Sequence, residues 1–398
     1  MSNEFSGADL SRARRETPGC GEVIHFNNAG ASLMPEPVLD ATVSHLRLEA
    51  RIGGYEAAER SHETIERVYD ASAALIGCDR GEIAVVENAT RAWDMAFYSI
   101  PLGPGDRILT AMAEYASNYI AFLQVARKTG AKVEPVPNDE HGQLSIEVLR
   151  EMVDERVRLI AITHVPTNGG LVNPAAEVGK VAREAGVLYL LDACQSIGQV
   201  PIDVGTIGCD MLSATGRKYL RGPRGTGFLY VRRDVLEDLE PPFLDLHAAE
   251  WTGKESFEIR GDARRFENWE TNFAGKVGLG VAVDYALGWG LEDIWERVRT
   301  LAEGLRSRLD DLPGVEVRDL GAERCGIVTF SAEGHAAEVV SRRLSAEGIN
   351  TSVAPPSSTL LDTENRSLGP LVRASVHYYN TEEEVSRFCE TLERSLYS

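Results

Sequence analysis

Between about residues 60 and 235, short apolar runs alternate with amphipathic stretches. The runs EIAVVEN, DRILTAM, KVEPVPN, RLIAITHV, VLYLLDA, CDMLSAT and GTGFLYV are of strand length and end in polar or turn residues. Between them, NYIAFLQVARKTG and AEVGKVAREAG repeat their apolar positions at helical spacing and close on glycine. Strands alternating with helices predict an α/β fold with a mostly parallel sheet covered on both faces. The texture changes after residue 275. AGKVGLGVAVDYALGWGLEDIWERVRTLAEGLRSRLDDL predicts two helices broken near Gly288 and Gly290, and VEVRDL, CGIVTFS, AAEVVSRRLSAEG and LVRASVHYYN predict a smaller α+β unit. The expected division is a large domain over 20–280 and a small domain made from 1–19 with 281–398.

Length supports two units, because 398 residues exceed the size at which one core stops growing. The 41 basic and 61 acidic residues leave a net charge of −20, which repels nucleic acid and anionic membranes and favours small molecules as partners. No run approaches the roughly 18 apolar residues of a membrane span, and the N-terminus lacks the apolar core of a leader peptide, so a cytoplasmic location is expected. The six cysteines are far apart, form no CxxC pair and do not cluster with histidine, which predicts reduced, mostly buried thiols and no metal site.

Open α/β sheets bind ligands beyond the carboxyl ends of their strands. At those ends stand Asp192 and Gln195 in LLDACQS, Asn168 in THVPTNGG, Ala89 and Thr90 in ENAT, and Thr215, Arg217 and Lys218 in SATGRKYLRGP. Alone, each has a plainer reading: Asp192 as a helix cap, Lys218 as a charge on a turn. Together they meet the needs of pyridoxal phosphate. That cofactor takes a lysine to bind its aldehyde, a carboxylate to hold its pyridine nitrogen protonated, helix N-terminal amides for its phosphate and a flat group over its ring. Only six lysines are present. Lys128, Lys132, Lys180 and Lys254 read as solvated charges, Lys276 opens a helical run, and Lys218 follows Asp192 by 26 residues, enough for one crossover.

In this combination the chain resembles the class V aminotransferase family of fold-type I pyridoxal phosphate enzymes, which includes cysteine desulfurases, selenocysteine lyases, isopenicillin N epimerases and the ergothioneine-pathway carbon–sulfur lyase. ENAT, AEYASN, HVPTNGGLVNP, LLDACQSIGQVPIDV, GRKYLRGPRGTGFLYV and RASVHYYNT occur in the family's order, and the likeness runs from about residue 23 to about residue 385. It implies a seven-stranded sheet between helices, a covalent cofactor link at Lys218, and Asp192 on the pyridine nitrogen. It further implies Gln195 and Asn168 on the phenolate oxygen, Tyr115 over the ring, and Ala89, Thr90, Thr215 and Arg217 around the phosphate, with Arg217 where the family usually has histidine. Thr271 in FENWETN would reach a neighbouring subunit's phosphate, and the active site would be shared in a homodimer. Arg373 would clamp the substrate carboxylate, with Asn28, Ala29 and Gly30 of NNAGAS bringing backbone close to it, and Tyr55 is a further substrate-side candidate.

Desulfurases of this kind carry a nucleophilic cysteine shortly before the carboxylate-binding arginine, and here that segment, NTSVAPPSSTLLDTENRSLGPLVR, contains none. Cys325 and Cys389 read as packing thiols. The expectation is therefore a β-eliminating carbon–sulfur lyase acting on a cysteine S-conjugate or its sulfoxide, yielding a sulfur product, pyruvate and ammonia. The alternatives are an amino-acid epimerase or aminotransferase, a desulfurase-like enzyme without the loop cysteine, and a protein that binds cofactor without turnover.

Overall fold

A computed structural model describes residues 5–397. All seven apolar runs are strands of one sheet, ordered Ile83–Val86, Gly227–Val231, Met211–Thr215, Leu188–Asp192, Val157–Thr163, Arg107–Ala111, Lys132–Val136. Gly227–Val231 runs antiparallel to both of its neighbours and the other pairings are parallel. The strands are apolar throughout because both faces are covered. Along Val157–Thr163, Leu159 and Ala161 enter the core on one face while Ile160 and Ile162 enter the core on the other.

The helices that cover the sheet follow from local signals. Ala116–Thr129 and Ala175–Ala185 each end on a left-handed glycine, Gly130 and Gly186. The long apolar stretch after residue 272 forms Phe273–Trp289 and Leu291–Asp310, broken at Gly290 with φ 85°. The second of these serves two cores: Ile294 and Val298 pack with the large sheet, whereas Leu301, Leu305 and Leu309 pack beneath a four-stranded antiparallel sheet. That smaller sheet is ordered Val315–Val317, Ile327–Ala332, Leu371–Ser375, Ser352–Ala354. N-terminal residues divide in the same way, with Ala13 in the large core and Ile24 and Phe26 in the small one. No helix among the described residues is long and apolar enough to cross a membrane.

Two elements lie outside the alternating pattern. Ala249–Gly253 and Ser256–Ile259 form an exposed hairpin, and Ser352–Ala354 edges the small sheet. Neither shows a buried apolar stripe in sequence, so periodicity has nothing to detect there.

Candidate active site

A cavity of about 400 Å³ opens at the carboxyl ends of strands Ile83–Val86, Leu188–Asp192 and Met211–Thr215. Its walls include Ala29, Gly30, Ala89, Thr90, Tyr115, Asp192, Gln195, Thr215, Arg217, Lys218 and Arg373, so most of the residues singled out from sequence meet in one place. Glycine makes two of the close approaches possible. A Cβ on Gly227 would stand 2.5 Å from the Ala214 carbonyl oxygen and 2.9 Å from the Asn88 carbonyl carbon, so glycine lets the antiparallel strand lie against the start of helix Ala89–Phe97. Gly198, at φ 87°, lies so close to Tyr219 that a Cβ would meet its backbone at 2.6 Å, which joins the Gln195 turn to the lysine loop.

Helix Ala89–Phe97 begins at an extended Asn88, whose side-chain oxygen accepts from the Arg91 amide at 2.9 Å, while the Asn88 carbonyl accepts from Ala92. The first-turn amides of Ala89 and Thr90 have no intrahelical acceptor, and both residues line the cavity. Thr215, Arg217 and Arg224 stand on the same walls, and Arg217 Nη1 donates to Thr215 Oγ1 at 3.1 Å. Amides at a helix start beside two guanidinium groups make a seat for a phosphate dianion.

Asp192 is buried at its strand end. One carboxylate oxygen accepts from the Cys194 amide at 2.8 Å and the other from Asn118 Nδ2 at 2.9 Å, and no ion pair to it is formed among the described residues. Burial raises its pKa, against the hydrogen bonds of Asn118 and Cys194 and the charge of Lys218. Lys218 is also buried, and burial lowers the pKa of its amine. Its Nζ lies 3.2 Å from Cys194 Sγ.

Arg373, on strand Leu371–Ser375, points Nη1 at the Thr167 carbonyl oxygen (3.0 Å) and hydroxyl (2.8 Å), and Nη2 at Asn27 Oδ1 (3.5 Å). Its Nε has no partner among the described residues, and no carboxylate pairs with it. Burial lowers its pKa. Gln195 Nε2 donates to the Ala29 carbonyl oxygen at 3.1 Å, and Gln195 Oε1 is buried without a donor. An unpaired carboxylate, an unpaired guanidinium and an amide oxygen without a donor therefore share one cavity. The carboxylate and the guanidinium need a protonated pyridine nitrogen and a substrate carboxylate, and with the phosphate seat they fit pyridoxal phosphate, whereas the Gln195 oxygen needs a donor that a phenolate oxygen does not supply.

Four of the sequence candidates stand elsewhere. Asn168 turns away from the cavity: its Nδ2 donates to the Pro355 carbonyl oxygen and to Thr359 Oγ1, both at 3.0 Å, and its neighbour Thr167 takes the wall position. Asn28 is fully buried and braces backbone, donating to the Ser375 carbonyl oxygen at 2.7 Å and accepting from the Tyr379 hydroxyl. Tyr55 is 69% exposed on helix Gly54–Arg60 and does not line the cavity; Thr271 precedes helix Phe273–Trp289 and does not line this chain's own cavity, which is compatible with a role at a neighbouring subunit's site. Which way a loop side chain turns is set by the chain packed against it, here Pro355–Thr359 and Tyr379, and a one-dimensional pattern does not carry that information.

Sequence reasoning missed three groups. Glu114 is buried and accepts from Thr163 Oγ1, Asn118 Nδ2 and the Tyr115 amide on one oxygen, and from Thr110 Oγ1 and the Thr163 amide on the other. Asn118 links it to Asp192. Burial, with Asp192's charge adding to it, pushes Glu114 up to about 7 against those donors. Cys194 is the third. All three lie in motifs already noted, AEYASN and DACQS, and the signal that could have found them is a polar group one helical turn from Tyr115 and a thiol between two cavity residues.

The lysines sort clearly. Lys128, Lys132, Lys180 and Lys254 are exposed, and Lys276 is buried against Glu267 and the Tyr69 hydroxyl, each at 3.0 Å. Cys325 and Cys389 are buried free thiols, pushed up to about 12 and about 11 by burial. The segment before Arg373 folds as a short strand, a 3-10 turn and helix Leu360–Asn365, and carries no thiol.

The family model "Aminotransferase class-V" matches residues 24–388. A protein of Methanothermobacter thermautotrophicus described as a probable cysteine desulfurase is 30% identical over 388 residues, which is 96% of each chain. The apo cysteine desulfurase of Thermococcus onnurineus NA1 superposes with a TM-score of 0.91 at 26% identity, covering 100% of both chains. A mutant of C-DES with glycine covalently linked to its PLP cofactor has a TM-score of 0.86 at 23% identity, covering 96% of this chain and 98% of that one. The chain belongs to the class V aminotransferase family and is a pyridoxal-phosphate-dependent enzyme of fold type I.

Proposed function

We propose that this enzyme breaks the carbon–sulfur bond of a cysteine-type amino acid. The observation that carries the reading is the buried, carboxylate-free guanidinium of Arg373 in the same cavity as the Lys218 amine and Asp192, in a chain whose relatives are described as cysteine desulfurases. Arg373 holds the α-carboxylate by charge-assisted hydrogen bonds. Asp192 keeps the proton on the cofactor's pyridine nitrogen. With the substrate carboxylate held at Arg373, the Lys218 amine would take the Cα proton as general base. When bound, pyridoxal phosphate supplies the electron sink for charge that develops at Cα.

The relatives favour cysteine itself over an S-conjugate or a sulfoxide, so we place the activity with desulfurase-like enzymes. The thiol-free segment before Arg373 favours β-elimination as the route, because loss of sulfur from Cβ then needs no protein nucleophile. The test is a product balance with L-cysteine, an S-substituted cysteine and its sulfoxide. Sulfide from cysteine, a thiol from the S-substituted cysteine or a sulfenic acid from the sulfoxide is expected, in each case with pyruvate and ammonia in equal amounts. Alanine with a protein-bound persulfide would overturn elimination, and release of no sulfur from any of the three would overturn carbon–sulfur cleavage.

A further inference from the structure

Cys194 has no role in that chemistry, yet its sulfur is hydrogen-bonded to the Lys218 amine. Lys218 Nζ has one hydrogen-bond partner among the described residues, and that partner is Cys194 Sγ at 3.2 Å. The thiol lines the same cavity, between Asp192 and Gln195 in sequence, and the unpartnered, buried Gln195 Oε1 marks that wall as built for a ligand. We propose that Cys194 is a positioning residue for Lys218: its thiol holds the amine in place and exchanges a proton with it, so that the amine is available as a free base. The proposal rests on the reading of this cavity as the cofactor site.

A lysine side chain carries about 2 kcal/mol of rotamer entropy, and an amine that must first meet an aldehyde and later a Cα proton gains from a fixed partner. A carboxylate partner would hold the amine as ammonium, which is neither nucleophile nor base. A thiol has an intrinsic pKa closer to that of an amine, so the pair can exist as neutral amine with neutral thiol. Burial favours that neutral state at both ends, raising the thiol and lowering the amine, while each charge, if formed, would stabilise the other. The charged groups that act on the pair are Asp192 and Arg217; Glu87, Arg224 and Arg373 stand farther round the cavity wall, with the Tyr115 phenol.

The test starts with the apoenzyme and no substrate. Iodoacetamide labelling at Cys194, followed by peptide mass spectrometry against pH, is compared between the wild type and Lys218→Ala. Removing the amine opens space around the sulfur, so a purely steric role makes labelling faster. The proposal expects severalfold slower labelling near neutral pH, because without the amine nothing beside the sulfur takes up the thiol's proton. Equal or faster labelling would overturn it. Lys218→Gln repeats the comparison with the chain length kept, should the alanine variant fold poorly by circular dichroism. In the holoenzyme, the pH at which the visible band of the lysine-bound cofactor changes is expected to move in Cys194→Ala and to return towards wild type in Cys194→Ser; an unmoved midpoint in the alanine variant would also overturn the proposal. Failure of the wild type to form any visible band would instead sink the cofactor-site reading, and the apoenzyme labelling would still report on the pair.

Discussion

Arg373 and Glu114 show how burial turns ordinary side chains into specific tools. The guanidinium of Arg373 is fixed by Thr167 and Asn27 and has donor capacity to spare, so its planar fork is ready for a carboxylate. Arg373→Lys retains the charge but not the fork. Loss of one charge-assisted hydrogen bond costs about 1.5–3 kcal/mol, so a rise in KM of roughly tenfold to a hundredfold is expected in steady-state kinetics; an unchanged KM would remove Arg373 from substrate binding. Glu114 gives a pH signature. Its native pKa of about 7 lies above the ordinary 4.5, so the native state binds more protons between those values than the unfolded chain does. Its contribution to stability is complete below 4.5 and is lost as pH rises through about 7. Thermal denaturation of the apoenzyme is expected to show this decline, and Glu114→Gln to flatten it.

At the scale of elements, the strand end that feeds the phosphate seat is tied from behind by one buried carboxylate. Glu267 accepts from the Val85 amide at 2.8 Å on strand Ile83–Val86, from the Tyr69 hydroxyl at 2.9 Å on helix His62–Ile76, and from Lys276 at 3.0 Å on helix Phe273–Trp289. Burial works to raise its pKa, but the charge of Lys276, with His247 and the Val85 amide, holds the carboxyl well below the usual range. Glu267→Gln leaves Lys276 buried without an anion, and a loss of about 3–5 kcal/mol is expected by denaturant unfolding; replacing Glu267 and Lys276 together with apolar residues of similar volume is expected to cost less. The sequence pattern did not reveal this tie. Its seven strands were legible because burial on both faces writes itself as continuous apolar runs, and the break at Gly290 because glycine ends helices. Lys276 read only as the start of a helix, and Glu267 lay in a segment noted for another reason, because their partnership joins residues that only the fold makes neighbours. The site divides in the same way. Lys218, Asp192, Gln195 and Thr90 sit at strand or helix ends, which the pattern locates. Asn168, Asn28 and Cys194 depend on side-chain direction within loops, which it does not.

For the whole molecule, an acidic chain whose polar, cation-lined cavity of about 400 Å³ holds the candidate site fits a small amino-acid substrate. Phe243, Leu246, Trp251, Phe257 and Trp269 are each at least half exposed within one stretch that contains the hairpin, while Leu46, Tyr55, Ile120, Leu123 and Leu360 are as exposed elsewhere. We propose that a second copy of the chain covers this stretch, as expected for a shared active site. Sedimentation velocity is expected to give a two-chain mass, shifted towards one chain in Trp251→Glu; a wild type that sediments as a single chain would contradict this.

The chemistry depends above all on which lysine is the reagent. The direct measurement is borohydride reduction of the cofactor-loaded enzyme, followed by peptide mass spectrometry to find the residue that carries the reduced pyridoxyl group. The expected result is stoichiometric label on Lys218 and none on the other five lysines; label on Lys276, or on no single lysine, would contradict it.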